Sequence, residues 1–183
     1  MGLTAWQALV DAAQVKPGQR VLIHAAAGGV VHLAVQIAKA RGAYVVATAS
    51  ERKHDFVRQL GADQIIDYQA VDFTKATGDL DVVFELVGRD YGRRSIAVLR
   101  PGGLLITAVE RLNEALGKEV EAAGRRFMGL TVEPDAGGLE ALARLVDEGK
   151  LRVHVEQSFP LAEAARAHAA LGASTTGKLV LEL

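Results

Sequence analysis

The chain has 183 residues, half of them hydrophobic, which is enough for one domain with a substantial core but hardly for two complete domains. Its 21 Lys and Arg nearly balance its 22 Asp and Glu, and no long run of one charge occurs, so neither nucleic acid nor a membrane surface is an expected partner. There is no cysteine, which excludes disulfides, thiol catalysis and cysteine-based zinc sites. The amino-terminal residues lack the pattern of a signal peptide, so the expected location is the cytoplasm.

Along the chain, apolar segments of strand length alternate with segments in which apolar residues recur at helical spacing. The strand segments are apolar throughout, which is typical of a parallel sheet covered on both faces. The pattern predicts a doubly wound α/β fold: a Rossmann-like, parallel, six-stranded sheet with helices on both faces. The predicted strands are Arg20–His24, Tyr44–Thr48, Gln64–Asp67, Asp81–Leu86, Gly103–Thr107 and Arg126–Val132, and the predicted helices lie at 29–42, 51–60, 90–99, 111–123 and 135–149.

The alternation changes after Lys150 and gives way to a shorter C-terminal segment. Its pattern predicts a strand at Leu151–Val155, a helix at Leu161–Leu171 and a strand at Lys178–Leu183. The expected organisation is therefore a Rossmann domain over residues 1–150, followed by a strand-helix-strand segment over residues 151–183.

The stretch from Val21 to Ala38 contains no charged residue and is about as long as a membrane-spanning helix. Two histidines, His24 and His32, and a Gly28-Gly29 pair nevertheless interrupt its apolar character. A strand, a turn and a helix account for the same residues without placing these polar groups in lipid, so no membrane association is expected.

The turn between the first strand and the first helix reads HAAAGGVV. A dinucleotide-binding turn of the form G-x-G-x-x-G requires small residues at three positions, which here are Ala26, Gly28 and Val31. Only one of them is glycine, but the turn opens a helix, where free N–H groups and the helix dipole favour an anion. The alternative is a glycine-rich turn that binds no ligand.

The end of the second strand bears on the choice of cofactor. A protein that binds NAD places a carboxylate there to bind the ribose 2′-hydroxyl, whereas this chain has Ala49. Ser50 and Lys53 could instead hold a 2′-phosphate, which favours NADP. Two other interpretations remain: Ser50 as a helix N-cap, with Arg52 and Lys53 on a solvated face, and Glu51 turned towards the ribose, which would favour NAD.

Other catalytic patterns are absent from the sequence. No Tyr-x-x-x-Lys pair and no G-x-S-x-G turn occurs, and the five histidines show no metal-ligand spacing and are interpreted as surface or core residues. The carboxylates Asp79, Asp81 and Glu85 bracket a strand, which favours solvation or capping over acid-base catalysis. The sequence therefore predicts no catalytic residue and no metal site.

Several motifs follow one another over the chain from about Thr4 to its last residue. They are Ala25–Val30 with Gln36–Lys39, Leu60–Tyr68 (LGADQIIDY), Asp81–Gly88 (DVVFELVG), Leu99–Leu105 (LRPGGLL) and Gly177–Leu183 (GKLVLEL). Together they resemble the cofactor-binding half of the medium-chain dehydrogenase/reductase superfamily, in its zinc-independent, NADP-dependent quinone oxidoreductase branch.

This resemblance implies an oxidoreductase that transfers hydride from NADPH to a quinone or enone, and a homodimer formed through strand 126–132. The implied cofactor contacts are Gly28, Gly29 and Val30 for pyrophosphate, Ser50, Lys53 and Tyr68 for the adenosine end, Leu86 and Val87 beside the cofactor, Ala108 near nicotinamide, and Lys178 reaching back to phosphate.

Departures from the family pattern limit these expectations. Val31 replaces a glycine, so we expect the turn to be pushed outward or the pyrophosphate to be crowded, and Val109 also stands where many relatives have glycine. The family's amino-terminal catalytic domain is not matched, and residues 151–183 resemble only the segment that completes it. We therefore expect little or no turnover from this chain alone. The alternatives are a stand-alone NADP-binding or interaction module, or a truncated or engineered domain that no longer binds cofactor.

Overall fold

A six-stranded parallel sheet in the order β3-β2-β1-β4-β5-β6 forms the centre of the molecule. The computed structural model describes residues 1–172 and 175–183. The predicted Rossmann-like sheet is confirmed, and a separate two-stranded parallel sheet pairs β7 with β8. The strands are β1 (Arg20–Ile23), β2 (Tyr44–Ala49), β3 (Gln64–Asp67), β4 (Leu80–Glu85), β5 (Leu99–Thr107), β6 (Arg126–Gly129), β7 (Val155–Pro160) and β8 (Lys178–Glu182).

Helices cover both faces of the main sheet. Successive residues of a strand point to opposite faces, and in β1 Val21 and Ile23 belong to one buried cluster whereas Leu22 belongs to a second. The helices are α1 (Gly2–Trp6, continued by a π-helical segment Gln7–Ala12), α2 (Val31–Ala40), α3 (His54–Gln59), α4 (Phe73–Ala76), α5 (Tyr91–Ser95), α6 (Glu114–Ala122), α7 (Ala136–Asp147) and α8 (Ala164–Ala170), with short 3₁₀ turns at Glu51–Lys53, Ile96–Val98 and Leu161–Glu163.

The uncharged stretch from Val21 to Ala38 folds as predicted, as the end of β1, a turn and most of α2. Within the described residues, no helix combines the length and apolarity needed to cross a membrane.

Three predicted strands differ from the observed ones by more than one residue, and two helices were not predicted. The strand predicted to begin at Gly103 begins at Leu99. The strand predicted at Leu151–Val155 is wrong, because β7 begins only at Val155. The strand predicted to reach Val132 ends at Gly129, because its partner β5 ends at Thr107, which pairs with Gly129. Helices α1 and α4 were missed, although Ala5, Ala8 and Leu9 are buried at helical spacing.

Residues 151–154 form no strand and are held by side chains of α2, together with the N–H of Lys178 at the start of β8, which donates to the His154 carbonyl oxygen (2.9 Å). The Gln36 amide donates to the Arg152 carbonyl oxygen (3.0 Å) and accepts from the Arg152 N–H (2.8 Å). His32 Nε2 accepts from the His154 N–H (3.4 Å). His32 and Gln36 lie four residues apart on one face of α2, and their partners His154 and Arg152 lie two residues apart. The two contacts therefore form side by side. Helix α2 therefore fixes the start of the C-terminal segment.

Gln36→Leu should lower the free energy of unfolding by about 1–3 kcal/mol, because it removes two part-buried hydrogen bonds to the backbone of Arg152. Urea denaturation measures this difference. Gln59→Leu is the matched control, since Gln59 is exposed on α3, and should change the free energy by less than about 0.5 kcal/mol. Equal effects of the two substitutions would contradict the role assigned to Gln36.

Candidate functional site

The turn between β1 and α2 lies at the edge of the sheet where the strand order reverses. Strand β1 is central, with β2 on one side and β4 on the other. In open α/β sheets, this reversal at the carboxyl ends of the strands leaves a crevice in which ligands bind. The backbone of β2 holds the turn, because the Ala26 N–H donates to the Thr48 carbonyl oxygen (2.9 Å). The Gly28 N–H closes the turn by donating to the Ala25 carbonyl oxygen (2.9 Å).

A cavity of about 250 Å³ opens beside this turn. It brings together four of the ten cofactor contacts that the sequence predicts, namely Gly28, Ser50, Lys53 and Tyr68. These residues come from the ends of β1, β2 and β3, which are adjacent in the sheet. The remaining lining residues are Ala49, which the sequence analysis placed at the end of the second strand, and Ala25, Ala27, Gly172 and Thr175, which were not predicted as contacts.

The Gly28-Gly29 pair is tightly surrounded. A Cβ atom on Gly28 would lie 3.2 Å from Val31 Cγ2, and one on Gly29 would lie 3.1 Å from both Lys178 Cδ and the Gly177 carbonyl oxygen. Both glycines therefore allow other groups to approach the backbone at this turn. Val30, the third predicted pyrophosphate contact, is half-buried and caps α2.

Val31 does not line the cavity. Its side chain is 4% exposed and lies in the main buried cluster, and α2 begins at Val31 itself. The side chain packs into the core, and its Cγ2 lies 3.2 Å from the position that a Cβ on Gly28 would take. The expectation that Val31 pushes the turn outward or crowds the pyrophosphate stays a prediction.

The C-terminal segment supplies a cation to the turn. The Gly177 N–H donates to the Ala27 carbonyl oxygen (2.8 Å), which fixes the start of β8 against the turn. A Cβ on Gly29 would lie 3.3 Å from Lys178 Nζ, so this ammonium lies over Gly29. Lys178 Nζ donates a hydrogen bond to Met1 Sδ (2.5 Å).

A second lysine lies at the end of β2. Ser50 occupies the N-cap position of the 3₁₀ turn Glu51–Lys53 but makes no side-chain cap hydrogen bond, so the capping interpretation does not account for its hydroxyl. Lys53 Nζ donates to the Thr175 carbonyl oxygen (2.7 Å). Burial, with a contribution from the charge of Arg52, lowers the pKa of Lys53. This ammonium is therefore partly desolvated beside the cavity.

The other predicted contacts follow β4 and β5, on the opposite side of the crevice. Leu86 and Val87 come directly after β4, and Ala108 directly after β5. None of the three lines the cavity. Val87 and Val109 are exposed, at 36% and 54%. This side of the crevice is open in the described part of the chain.

Glu85 fixes the turn at Val87. Its carboxylate accepts the N–H groups of Val87 and Gly88, the latter at 2.7 Å, and the hydroxyl proton of Thr107 (3.2 Å). Glu85 is fully buried, so the interpretation of this carboxylate as capping is confirmed and its interpretation as solvated is wrong. Burial raises the pKa of Glu85, against the lowering effect of these hydrogen bonds.

Two buried histidines flank the glycine turn, and the sequence analysis gave neither a role. His32 Nδ1 donates to the Gly28 carbonyl oxygen (2.9 Å), and burial lowers the pKa of this histidine. His24 contacts the Thr48 and Ser95 hydroxyls, and burial, together with the charge of Arg94, lowers its pKa to about 3. Their position in an uncharged stretch, on either side of a glycine pair, is the sequence signal that could have identified them.

The sequence and the fold match a known family over most of the chain. The model of a family described as zinc-binding dehydrogenase matches residues 60–181. A 2-haloacrylate reductase from a Burkholderia species is 35% identical over 98% of this chain. The chain belongs to the medium-chain dehydrogenase/reductase superfamily.

In residues 1–172 and 175–183, no group of three or more His, Asp or Glu side chains is arranged to hold a metal ion.

Solved structures of this superfamily share the fold closely. A quinone oxidoreductase from Coxiella burnetii, 41% identical, superimposes over the whole chain with a TM-score of 0.93. The Escherichia coli quinone oxidoreductase complexed with NADPH, 29% identical, does so with a TM-score of 0.87. The chain spans 60% of the Burkholderia reductase and 58% and 62% of the two solved chains. It therefore corresponds to the cofactor-binding half of these reductases.

Gly28→Ala should lower the free energy of unfolding by about 1–3 kcal/mol, because the new methyl group is forced against Val31. The same substitution in a Val31→Ala background should cost much less, since the obstructing methyl groups are gone. Chemical denaturation of the single and double variants measures this coupling. Gly78→Ala, at a glycine with no heavy atom near its Cβ position, is the control. An equal cost of Gly28→Ala in both backgrounds would refute the contact.

Proposed function

We propose that this chain is the NADPH-binding part of an oxidoreductase that transfers hydride from NADPH to a quinone or enone. The observation that carries the proposal is the cavity at the ends of β1, β2 and β3, which the glycine turn and Lys53 line, with Lys178 over the adjoining Gly29. The relatives of the chain support the reaction class, because they include a 2-haloacrylate reductase and quinone oxidoreductases.

Pyrophosphate would lie at the N-terminus of α2. Gly28 and Gly29 bring the backbone within reach, and Val30 caps a ten-residue helix whose N-terminal dipole favours an anion. The ammonium of Lys178, which lies over Gly29, supplies a positive charge at the same point. The residues present therefore fit this group.

The adenosine end would lie between the ends of β2 and β3. Ala49 offers no carboxylate to a ribose 2′-hydroxyl, whereas Ser50 and Lys53 offer a hydroxyl and an ammonium to a 2′-phosphate. Tyr68, which is 41% exposed, would pack beside the adenine. A bound phosphate would also offset the desolvation of Lys53, because an adjacent anion favours the charged form.

The nicotinamide would lie beside Leu86, Val87 and Ala108. The cofactor supplies the hydride when bound, and the protein supplies position and electrostatics. Glu85 holds the turn after β4 in a fixed shape, so it positions the backbone against which the ring would pack. We assign no general acid or base to this chain.

Lys53→Ala should weaken NADPH binding by about 1.5–3 kcal/mol, the value of a charge-assisted hydrogen bond, and leave NADH binding nearly unchanged. Isothermal titration calorimetry with both cofactors measures the difference. Lys16→Ala, an exposed lysine before β1, is the matched control and should affect neither cofactor. Equal weakening of NADPH and NADH by Lys53→Ala would refute the assignment of Lys53 to the 2′-phosphate.

A second candidate is an NADP-binding module without turnover, and the exposure of Val87 and Val109 favours it. Hydride transfer requires a second surface that positions the acceptor and excludes water. In this proposal residues 1–150 bind the cofactor, and residues 151–183 complete a separate catalytic domain in relatives. We expect NADPH binding with little reduction of a simple quinone by this chain alone. Steady-state turnover of about 1–1000 per second would instead establish this chain as a complete catalyst.

We also propose a homodimer formed through residues 126–132. Strand β6 pairs only with β5 in the described residues, so its other edge is open, and Met128 on it is 38% exposed. Open apolar edges promote pairing, and a two-fold axis would join two sheets into one. Met128→Asp should shift the protein towards monomer in analytical ultracentrifugation, and Val146→Asp on exposed α7 should not. A wild-type monomer at high concentration would refute the dimer.

A further inference from the structure

His24 lies directly beneath the start of the glycine turn, in a fully buried position. Its ring packs edge-on against two aromatic side chains that stack on each other, with ring centroids 4.7 Å from Phe73 and 5.1 Å from Tyr91. The guanidinium of Arg94 lies 4.7 Å from the Phe73 ring centroid and repels a positive charge on the imidazole. These surroundings favour the neutral imidazole.

The hydrogen bonds around His24 define which ring nitrogen carries the proton. The Ser95 hydroxyl donates its only proton to the Tyr91 carbonyl oxygen (2.7 Å), so at its 3.2 Å contact with His24 Nε2 it is the acceptor. Nε2 is therefore protonated, and Nδ1 accepts from the Thr48 hydroxyl (3.3 Å). Each of the two ring nitrogens has one partner, and each partner lies on a different element of the fold.

The chain of hydrogen bonds ends at the backbone of the cavity wall. Because the Thr48 hydroxyl proton points to His24, its oxygen is left to accept the Ala25 N–H (3.0 Å). Ala25 has a φ of +52°, a left-handed conformation that residues other than glycine adopt at a cost and only where the surroundings impose it. The Gly28 N–H then donates back to the Ala25 carbonyl oxygen. The hydrogen bond from the Thr48 hydroxyl to His24 thus determines how the peptide groups of the turn are oriented.

We propose that His24 is a positioning residue for the dinucleotide, whose neutral imidazole orients the Thr48 hydroxyl and thereby holds Ala25 and the phosphate-binding turn in their strained conformation. This inference rests on the proposed NADPH-binding function. It assigns two separable tasks to the ring: Nδ1 supports the turn, and Nε2 anchors the ring to α5 through Ser95.

Substitutions by the two amides separate these tasks. His24→Asn retains an acceptor near the position of Nδ1 and should bind NADPH within about threefold of wild type, a difference of under about 1 kcal/mol. His24→Gln places its amide near Nε2 and leaves Thr48 without its acceptor, and His24→Leu removes both. We expect the Gln and Leu variants to lose at least about tenfold in NADPH affinity by calorimetry.

Binding of a second ligand and substitution of a second residue distinguish the proposed role of His24 from a general loss of stability. Adenosine 2′-monophosphate carries the adenosine and the 2′-phosphate but no phosphate on the 5′ side, so every folded variant should bind it as wild type does. Thr48→Val should reproduce the loss of NADPH affinity, and combining it with His24→Leu should add little further loss. Ser95→Ala, at the far end of the network, should leave NADPH affinity nearly intact.

Three results would overturn the inference: a His24→Leu variant that binds NADPH like wild type, equal affinities of the Asn and Gln variants, or parallel losses of NADPH and adenosine 2′-monophosphate, which indicate general destabilisation. Failure of the wild-type chain to bind either ligand would refute the proposed function itself and the inference with it. Wild-type binding of both ligands with no effect at His24 would refute the inference alone.

Discussion

The contact between Thr48 and the turn after β1 is the interaction on which the candidate site depends. A single residue of β2 binds two successive N–H groups of the neighbouring turn, one through its hydroxyl and one through its carbonyl oxygen. These bonds hold Ala25 at positive φ and bring the Gly28-Gly29 pair to the start of α2. Without them, nothing in the local sequence AAAGG would require this conformation, because alanine disfavours it.

Helix α2 joins the turn to the C-terminal segment. His32 contacts the Gly28 carbonyl oxygen and also accepts the His154 N–H, while Gln36 pairs with the backbone of residue 152. These polar side chains lie on a helix that is otherwise buried and apolar, and their hydrogen bonds offset the cost of their burial. One consequence is that the segment carrying Lys178 approaches Gly29, so the cation beside the turn comes from the far end of the chain.

The two sides of the crevice differ in physical character. On the side of β1 to β3, the cavity is concave and carries the Lys53 ammonium on a wall of small residues. On the side of β4 and β5, Val87 and Val109 are exposed on the turns that follow these strands. The buried carboxylate of Glu85 holds the turn at Val87 by hydrogen bonds. A dinucleotide requires this combination, because its phosphates need charge and its nicotinamide ring needs a shaped apolar surface.

The sequence by itself determined the sheet and the family. Its apolar segments and helical stripes set the six parallel strands, and short motifs such as the turn at residues 25–30 identified the superfamily, because both signals are local in the chain. It also named Gly28, Ser50, Lys53 and Tyr68, which the fold brings to one cavity.

Only the tertiary structure decided the position of the Val31 side chain, the start of β7 and the environments of His24 and Glu85. Each depends on partners far away in the sequence: Val31 packs into a core formed by several elements, residues 152 and 154 bind α2, and His24 binds Thr48 and Ser95. The periodicity of apolar residues in the sequence predicts which residues are buried. It does not predict which buried polar groups form hydrogen bonds with one another, because these partners meet only once the chain has folded.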